Sequence, residues 1–329
     1  MGVELGHVQG VRTVKDLKIR WALHGPEWEP TSRQRGYLIF RKLQEWGYDA
    51  DAWDLKSPAD IIVCQYDLKH TKKALESGAT VVQDVNDMVF AEHHQCHKQF
   101  HEMIGQVHAV VAGTERLGQH LERLHGFVRV IHEPVDDRYL AVRKQEHEGV
   151  NFCYAGMHDN VIYFNEIDEV LGRLAKKHQF TVHFVLPEKD GQGRSNAKKV
   201  AAKPYSTDFH TWSMDALLEQ MAVADIAAIP LFQSNWESCK SPNKSLSFMA
   251  AGLAVAASDV IPYRPVIKHG QNGFLCLDSD DWYSALEALL TKPQLRRKIG
   301  SSGKVTARGY AVDRICQQWV ELFKEIRPR

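Results

Sequence analysis

The stretch CKSPNKSLSFMAAGLAVAASDV, Cys239 to Val260, predicts a helix followed closely by a buried strand. Ser241 is a favourable N-cap, and Pro242 suits the first helical position, where no N–H is needed. Gly252 stands where a left-handed C-cap is expected, and LAVAAS then has the composition of a buried strand. The small side chains allow helix and sheet to approach closely.

The start of this helix is a predicted anion site. Free backbone N–H groups and the helix dipole favour negative charge there, and Lys240 and Lys244 add positive charge on either side of it. Ser247 follows Lys244 by one turn on the same face, where its hydroxyl either donates to a ligand oxygen or packs. The simplest ligand for such a site is a phosphate.

Short apolar runs alternate with amphipathic segments throughout the chain, which is typical of an α/β protein with parallel sheets. The predicted strands are KIRWALHG, DADAW, ADIIVCQ, ATVVQDV, HAVVAG and VRVIHEP in the first half, then NFCYAG, TVHFVL, DIAAIPL, LAVAAS and GFLCL. The predicted helices between them are Gln34–Trp46, Lys69–Ser77, Glu92–Ile104, Glu115–His125, Phe164–Lys177 and Met214–Ala224. The alternation of strands and helices begins again in the second half of the chain. It predicts two Rossmann-like, doubly wound domains facing a cleft, with ligands at the carboxyl ends of the strands.

We expect residues 1–140 to form the first domain and residues 150–311 the second, with a polar link at 138–149 between them. The last helix, about 312–329, is a candidate to pack back on the first domain. The polar, basic segment Gly191–Pro204 is interpreted as a mobile surface loop.

Composition narrows the class of protein. The 329 residues carry a formal net charge of zero, which argues against a dedicated nucleic-acid binder. No apolar run approaches the roughly 20 residues that span a bilayer, and the N-terminus lacks the apolar core of a secretory signal. The six cysteines form no CxxC pair and are expected to be reduced and mostly buried. A cytoplasmic location is therefore expected.

The second half of the chain resembles the C-terminal domain of GT-B glycosyltransferases of the family-4 type. NFCYAGMHDN is similar to the first strand and glycine loop of that domain, and SPNKSLSFMAAGLAVAASDVIPYRPVIKHGQNGFLC to its donor-binding helix, strand and following loop. WSMDALLEQMAVADIAAIPL and DWYSALEALLTKPQLRRKIGSSGKVTA resemble further family segments. The match in the first half, SRQRGYLIFRKLQEWGYDADAW and VVQDVND, is looser.

The resemblance implies transfer of a sugar from a nucleotide-sugar donor, with retention at the anomeric carbon and with no metal or other cofactor. The second domain would hold the donor, and the first domain the acceptor, which is a glycan, a lipid-linked sugar or another small molecule. Surface-glycan or glycoconjugate synthesis is the expected pathway. Because many relatives use lipid-linked acceptors, peripheral contact with the inner face of the membrane is a further expectation.

Two family features are absent from this sequence. The family's two glutamates, which have seven residues between them and precede the Ala-Gly, correspond here to Cys239 and Ser247, and Glu237 could replace the first by a shift of two residues. The expected donor contacts are then Gly156, His158, Glu237, Lys240, Lys244 and Ser247, with Lys244 also a catalytic candidate. The departures leave two alternatives open: a degenerate nucleotide-sugar-binding module, and a GT-B sugar-nucleotide epimerase.

Other candidates rest on their positions beside predicted strands. His210 and Trp212 are expected in the loop that borders the base in the family, although an aromatic there more often covers the core. In the first domain, His24 and Gly25 follow the first strand, while Arg33 and Arg35 open the first helix and either meet an anion or form surface ion pairs. Asp87 is the catalytic candidate for acceptor contact, the alternative being a helix cap.

The histidines of EHHQCHKQFH raise the question of a metal. His93, His97 and His101 recur every four residues on one helical face, with Cys96 beside His97. Three ligands along one straight helix span roughly 12 Å, too far for one zinc ion. We therefore expect no metal here.

Overall fold

The structure is a computed structural model that describes residues 13–328 except 66, 93, 158 and 159. Two residues singled out above, His158 and His93, therefore lie outside the described residues. The described chain divides into two compact units. The first contains the residues up to Gly113, Gly118–Ile131 and those from Ile315 on, and the second contains Thr114–Leu117 and His132–Arg314.

The main boundary, between residues 131 and 132, comes earlier than the link expected at 138–149. The reason is that the intervening residues already belong to the second unit. The Val135 backbone N–H donates to the Tyr310 carbonyl oxygen at 2.7 Å, and Tyr139 is buried in the core of that unit. Polar composition alone did not reveal these anchors.

The strands are β1 (Lys18–Ala22), β2 (Asp49–Ala52), β3 (Ile61–Cys64), β4 (Thr80–Val85), β5 (Ala109–Ala112), β6 (Val128–Val130), β7 (Asn151–Ala155), β8 (Thr181–Leu186), β9 (Thr207–Thr211), β10 (Ile226–Ile229), β11 (Ala254–Ser258) and β12 (Phe274–Cys276). The helices are α1 (Pro30–Ser32), α2 (Leu38–Glu45), α3 (Leu68–Glu76), α4 (His97–Ile104), α5 (Glu115–Leu121), α6 (Asp137–Leu140), α7 (Val161–Phe164), α8 (Asp168–Ala175), α9 (Asn196–Ala201), α10 (Met214–Val223), α11 (Asn243–Ala250), α12 (Ser279–Thr291), α13 (Pro293–Arg308) and α14 (Val312–Ile326). A π-helical segment, Arg33–Tyr37, joins α1 to α2.

The first unit is a six-stranded parallel sheet in the order β2-β1-β3-β4-β5-β6. Its central strands β3, β4 and β5 are buried along their whole length, as is usual for a parallel sheet covered by helices. The part of α14 from Ile315 on belongs to this unit, where the rings of Trp319 and Phe323 lie 6.0 and 5.9 Å from that of Trp21 in β1.

The second unit is also a six-stranded parallel sheet, in the order β12-β11-β10-β7-β8-β9. One face carries a core with α8 and α12, and the other a core with α10 and α11. The direction of winding reverses between β7 and β10, and open sheets of this kind bind ligands at the carboxyl ends of the strands beside such a switch point. The predicted α/β class with two doubly wound domains is confirmed.

Several elements differ from prediction. The helix predicted at Glu92–Ile104 begins only at His97, as α4. The edge strand β9 was not predicted, because TDFHT has no apolar alternation. The segment expected to be a mobile loop contains the helix α9, whose start is capped by the Ser195 hydroxyl, an acceptor for the Lys198 N–H at 3.3 Å. Asp190 accepts hydrogen bonds from the side chains of Arg194 and Lys199, both at 2.6 Å, and so ties the segment together.

All the cysteines but Cys96 are buried, as expected, and among the described residues no disulfide links any of them. Among the described residues, no helix combines the length and the apolar character that crossing a membrane requires.

Candidate functional site

The start of α11 lies beyond β10, in the second unit. The helix begins at Asn243, one residue after the predicted start, so that Pro242 and not Ser241 is its N-cap residue; the Ser241 hydroxyl oxygen accepts from the Asn243 N–H at 3.1 Å. The same hydroxyl donates to Glu133 Oε2 at 2.6 Å. The predicted helix start is thus correct to within one residue, whereas the prediction that Ser241 is the N-cap is wrong.

Lys240 stands beside this helix start in a connected polar cluster. Its Nζ donates to the Tyr163 hydroxyl at 2.8 Å, and that hydroxyl donates to Glu237 Oε1, also at 2.8 Å. The Ser234 hydroxyl donates to Glu237 Oε2. Burial works to raise the pKa of Glu237, but the hydrogen bonds from Ser234 and Tyr163 and the charge of Lys240 hold that pKa below its ordinary value.

Both carboxylate oxygens of Glu237 are therefore engaged. The expectation that Glu237 contacts the donor in place of the first family glutamate stays a prediction, and any such contact would compete with the Tyr163 and Ser234 hydrogen bonds. Glu237 positions Tyr163 and, at 3.6 Å, the ammonium group of Lys240.

Lys244 lies in the first turn of α11 and is only partly exposed. Its Nζ lies 4.7 Å from the centroid of the Tyr154 ring, and within the described part of the chain it has no carboxylate partner. Burial, together with repulsion from Lys240, lowers its pKa to about 7. An anionic ligand bound beside Lys244 would supply the opposite charge that this partly buried cation lacks among the described residues.

Ser247 and Gly156 complete the predicted set. Ser247 is buried, and its hydroxyl donates to Asn243 Oδ1 at 3.4 Å. Gly156 follows β7 at the switch point, and a Cβ there would come within 2.6 Å of Asn160 Cβ. The glycine is needed because Asn160 folds back to accept the Met157 N–H at 2.9 Å.

A cavity of about 460 Å³ lies in the same unit, beside the ends of β10 and β11. Its lining includes Arg116, Gln233, Ser234, Asn235, Ser238 and Asp259. Arg116 Nε is buried and has no partner in the described structure. Arg116 and Tyr163 were not predicted as site residues. They are remote in sequence from α11, and no motif marks them.

In the first unit, the structure contradicts the prediction that Arg35 meets a ligand anion. Its guanidinium group is fully buried and bidentate to Asp84, with contacts of 2.9 and 3.0 Å from Nε, and it also donates to the Ile131 carbonyl oxygen at 2.9 Å. The Arg35 side chain is 1% exposed. This pair is internal, and the burial of the Arg35 side chain leaves no room for a ligand anion beside it.

Arg33 differs from Arg35 although it lies in the same π-helical segment. It is 7% exposed, and its Nε has no partner among the described residues. Short π-helical stretches are frequent at functional sites. Arg33 thus remains a candidate for anion contact.

The other first-unit candidates are less open to ligands. The Gly25 N–H donates to the Ser32 hydroxyl at 2.8 Å, and the His24 N–H donates to Gln65 Oε1 at 3.1 Å. Both of these backbone N–H groups after β1 therefore already have side-chain acceptors. Asp87 lies two residues beyond β4 and is partly exposed, so its role stays a prediction.

The prediction that His210 lies in a loop is wrong, because this residue belongs to β9. Its Nε2 lies 3.3 Å from His183 Nδ1 and 3.2 Å from Asp208 Oδ2, so its ring faces these side chains within the sheet. Trp212 packs against the core of the second unit, which agrees with the alternative reading of that residue.

The histidine repeat of the first unit is anchored to one carbonyl group. His97 Nδ1 and His101 Nε2 lie 2.6 and 3.2 Å from the Phe90 carbonyl oxygen. These two rings are thereby occupied with the backbone.

Comparison with known proteins identifies the part of the chain that contains α11. Residues 142–292 match the model of the family described as Glycosyl transferases group 1. This region is similar to group 1 glycosyltransferases, and the match covers somewhat less than half of the chain. The resemblance to glycosyltransferases that the sequence predicted is thereby confirmed for these residues.

One curated relative aligns with part of the chain. The "Putative glycosyltransferase EpsD" of Bacillus subtilis (strain 168) is 34% identical over 80 residues, which are 24% of this chain and 21% of EpsD. The match therefore spans about a fifth of that relative.

Two solved structures match nearly the whole chain. Anabaena HepE, in complex with UDP and glucose, is 12% identical with a TM-score of 0.71, covering 93% of this chain and 99% of its own. A glycosyltransferase from Rickettsia africae is 12% identical with a TM-score of 0.72, covering 94% and 98%. The predicted GT-B fold class is confirmed.

Proposed function

We propose that the chain transfers a sugar from a nucleotide-sugar donor to an acceptor, with retention at the anomeric carbon and without a metal in the chemical step. The pathway proposed is the assembly of a surface glycan or glycoconjugate. The donor's diphosphate is assigned to the start of α11, between Lys240 and Lys244.

The observation that carries this proposal is the ammonium group of Lys244, which has no carboxylate partner among the described residues. It sits beside Lys240 at a helix start, next to the switch point of the region that is similar to group 1 glycosyltransferases. Bond cleavage at the anomeric carbon places growing negative charge on the leaving diphosphate. Cations and backbone N–H groups that are already held in place stabilise this charge and so lower the barrier to bond cleavage.

The donor and acceptor are proposed from chemistry and from the relatives. HepE has been solved with UDP-glucose, which makes a UDP-sugar the first donor to test. The acceptor is a glycan, a lipid-linked sugar or another small molecule, and contact with the membrane surface is part of the proposal only if the acceptor is lipid-linked. Asp87 and Arg33, whose Nε has no partner among the described residues, are the proposed contacts on the acceptor side.

The test is a thermal-shift series with UDP, GDP, dTDP, CMP and ADP on wild type, Lys244→Ala and a control, Lys198→Ala, which changes an exposed lysine in α9. A nucleotide at a hundred times its dissociation constant stabilises a protein by about 2.7 kcal/mol. We expect one nucleotide to shift wild type and the control but not Lys244→Ala. If no nucleotide shifts wild type, the proposal is wrong.

Assays with the matching nucleotide-sugar then separate the alternatives. Transfer to an acceptor, or slow donor hydrolysis, supports the glycosyltransferase. Binding with neither reaction indicates a degenerate binding module, and conversion of the sugar without an acceptor indicates an epimerase.

A further inference from the structure

A cluster of two histidines and an aspartate on the sheet of the second unit has no part in the proposed transfer. His183 of β8 lies opposite Asp208 of β9 in the parallel register, and His210 follows Asp208 by two residues. Register partners and residues two apart in a strand project from the same face of a sheet. The backbone therefore places all three side chains together.

The spacing of the three ligand atoms is that of a tetrahedral metal site. His183 Nδ1 lies 3.3 Å from His210 Nε2, and Asp208 Oδ2 lies 3.6 Å from the former and 3.2 Å from the latter. Bonds of 2.0–2.2 Å to a tetrahedral zinc ion separate its ligand atoms by about 3.3–3.5 Å. An ion could be accommodated with shifts of a few tenths of an ångström.

Hydrogen bonding alone accounts less well for the cluster. Two imidazole nitrogens and one carboxylate oxygen in mutual contact need suitable protons between each pair. In a neutral imidazole ring, a given nitrogen either carries the ring's one N–H proton and donates a hydrogen bond, or carries none and accepts one. A divalent cation satisfies all three lone pairs at once.

We propose that His183, Asp208 and His210 bind a zinc-class divalent metal ion, with a fourth position open to solvent. The ion would clamp the edge strand β9 to β8. The side chains of Asp208 and His210 are 55% and 25% exposed, which leaves a path for the ion. The three residues lie on β8 and β9, whereas the proposed diphosphate site is at the start of α11, beyond β10.

The surroundings of His183 set the expected strength. Its Nε2 is buried and has no partner in the described structure, whereas a ligating histidine usually donates from its second nitrogen. Loss of such an outer partner typically weakens metal affinity by about 10–100-fold. We therefore expect an exchangeable ion rather than one retained through chelation.

The test uses the full chain, tag-free and treated with a chelator. Zn²⁺ is titrated calorimetrically, and Co²⁺ is followed by its visible absorption, which is intense in tetrahedral sites. We expect one equivalent of either metal to bind wild type and a control, His178→Gln, which changes a histidine outside the cluster. Asp208→Asn and His210→Gln should lose that equivalent.

Equal binding by His210→Gln and wild type would overturn the proposal, as would the absence of any stoichiometric binding. Because the side chains of Asp208 and His210 are at least partly exposed, these variants are expected to fold, and far-UV circular dichroism checks this. The readout is metal binding, so it is independent of whether the chain binds a nucleotide.

Discussion

At the scale of the residue, Lys244 combines a stability cost with a proposed function. A partly buried ammonium group without a counter-charge destabilises the free protein, and an anionic ligand would reverse that cost. The lowered pKa, about 7 against an ordinary value of 10.5, expresses the same cost as a proton equilibrium.

We predict that Lys244→Met raises the free energy of unfolding at pH 7 by about 1–2 kcal/mol while abolishing the nucleotide-induced shift. Between pH 7 and 10.5 the unfolded chain holds a proton on Lys244 that the folded chain has released, so wild-type stability gains from rising pH in this window. The advantage of the variant should therefore shrink as pH rises. Urea denaturation at several pH values measures this, and a lower stability of the variant at pH 7 would contradict it.

A second prediction concerns the buried Arg35–Asp84 pair of the first unit. Arg35→Met leaves the Asp84 carboxylate buried without its cation, which typically costs about 3–5 kcal/mol. The matched control is Arg41→Met, which removes an exposed ion pair with Glu27 and should cost no more than about 1 kcal/mol. Chemical denaturation compares the two, and similar losses would show that the Arg35 pair is not structural.

At the scale of the element, the packing of α13 on the end of α11 depends on glycine. A Cβ at Gly300 would lie 2.3 Å from the Gly252 carbonyl oxygen, and Gly252 itself has φ of +81°. The small residues that suggested close packing of helix and strand in the sequence therefore also admit a second helix. The Gly252 carbonyl oxygen is a backbone atom, so it cannot easily move away from an added Cβ as a flexible side chain could.

We predict that Gly300→Ala destabilises the second unit by about 1–3 kcal/mol through overpacking. Gly105→Ala is the control, because no atom lies within 4 Å of its added Cβ and its φ of −72° suits alanine. That control should be neutral or stabilising by up to about 1 kcal/mol. Thermal unfolding followed by circular dichroism distinguishes them, and an unchanged Gly300→Ala protein would refute the packing argument.

At the scale of the whole molecule, the last residues of the chain contribute to the core of the first unit. Trp319 and Phe323 are buried against Trp21, although the sequence between residues 132 and 314 belongs to the second unit. Loss of one such aromatic side chain typically costs about 3–5 kcal/mol.

We predict that removing residues 315–329 makes the first unit sensitive to proteolysis, with cleavage sites before residue 131. Removal of residues 327–329 alone should have no such effect, because it spares both aromatic rings. Mass spectrometry of the early fragments locates the cuts. Fragments arising mainly from the second unit would contradict the prediction.

The sequence by itself determined the architecture. Apolar runs identified every strand of the described chain except β9, and the Ser-Pro start with its two lysines located α11 to within one residue. These signals succeeded because they are local: a buried strand must be apolar, and a helix start must cap its own N–H groups. The edge strand failed because its polar residues carry no such periodic signal.

Only the tertiary structure decided which polar side chains meet. Arg33 and Arg35 look alike in sequence. The Arg35 guanidinium group is nevertheless bidentate to Asp84, whereas Arg33 Nε has no partner among the described residues. Tyr163 joins Lys240 across 77 residues, and His183 joins His210 across 27. The physical reason is that the partner of a buried charge is set by how distant elements pack, and no local pattern of residues encodes that choice.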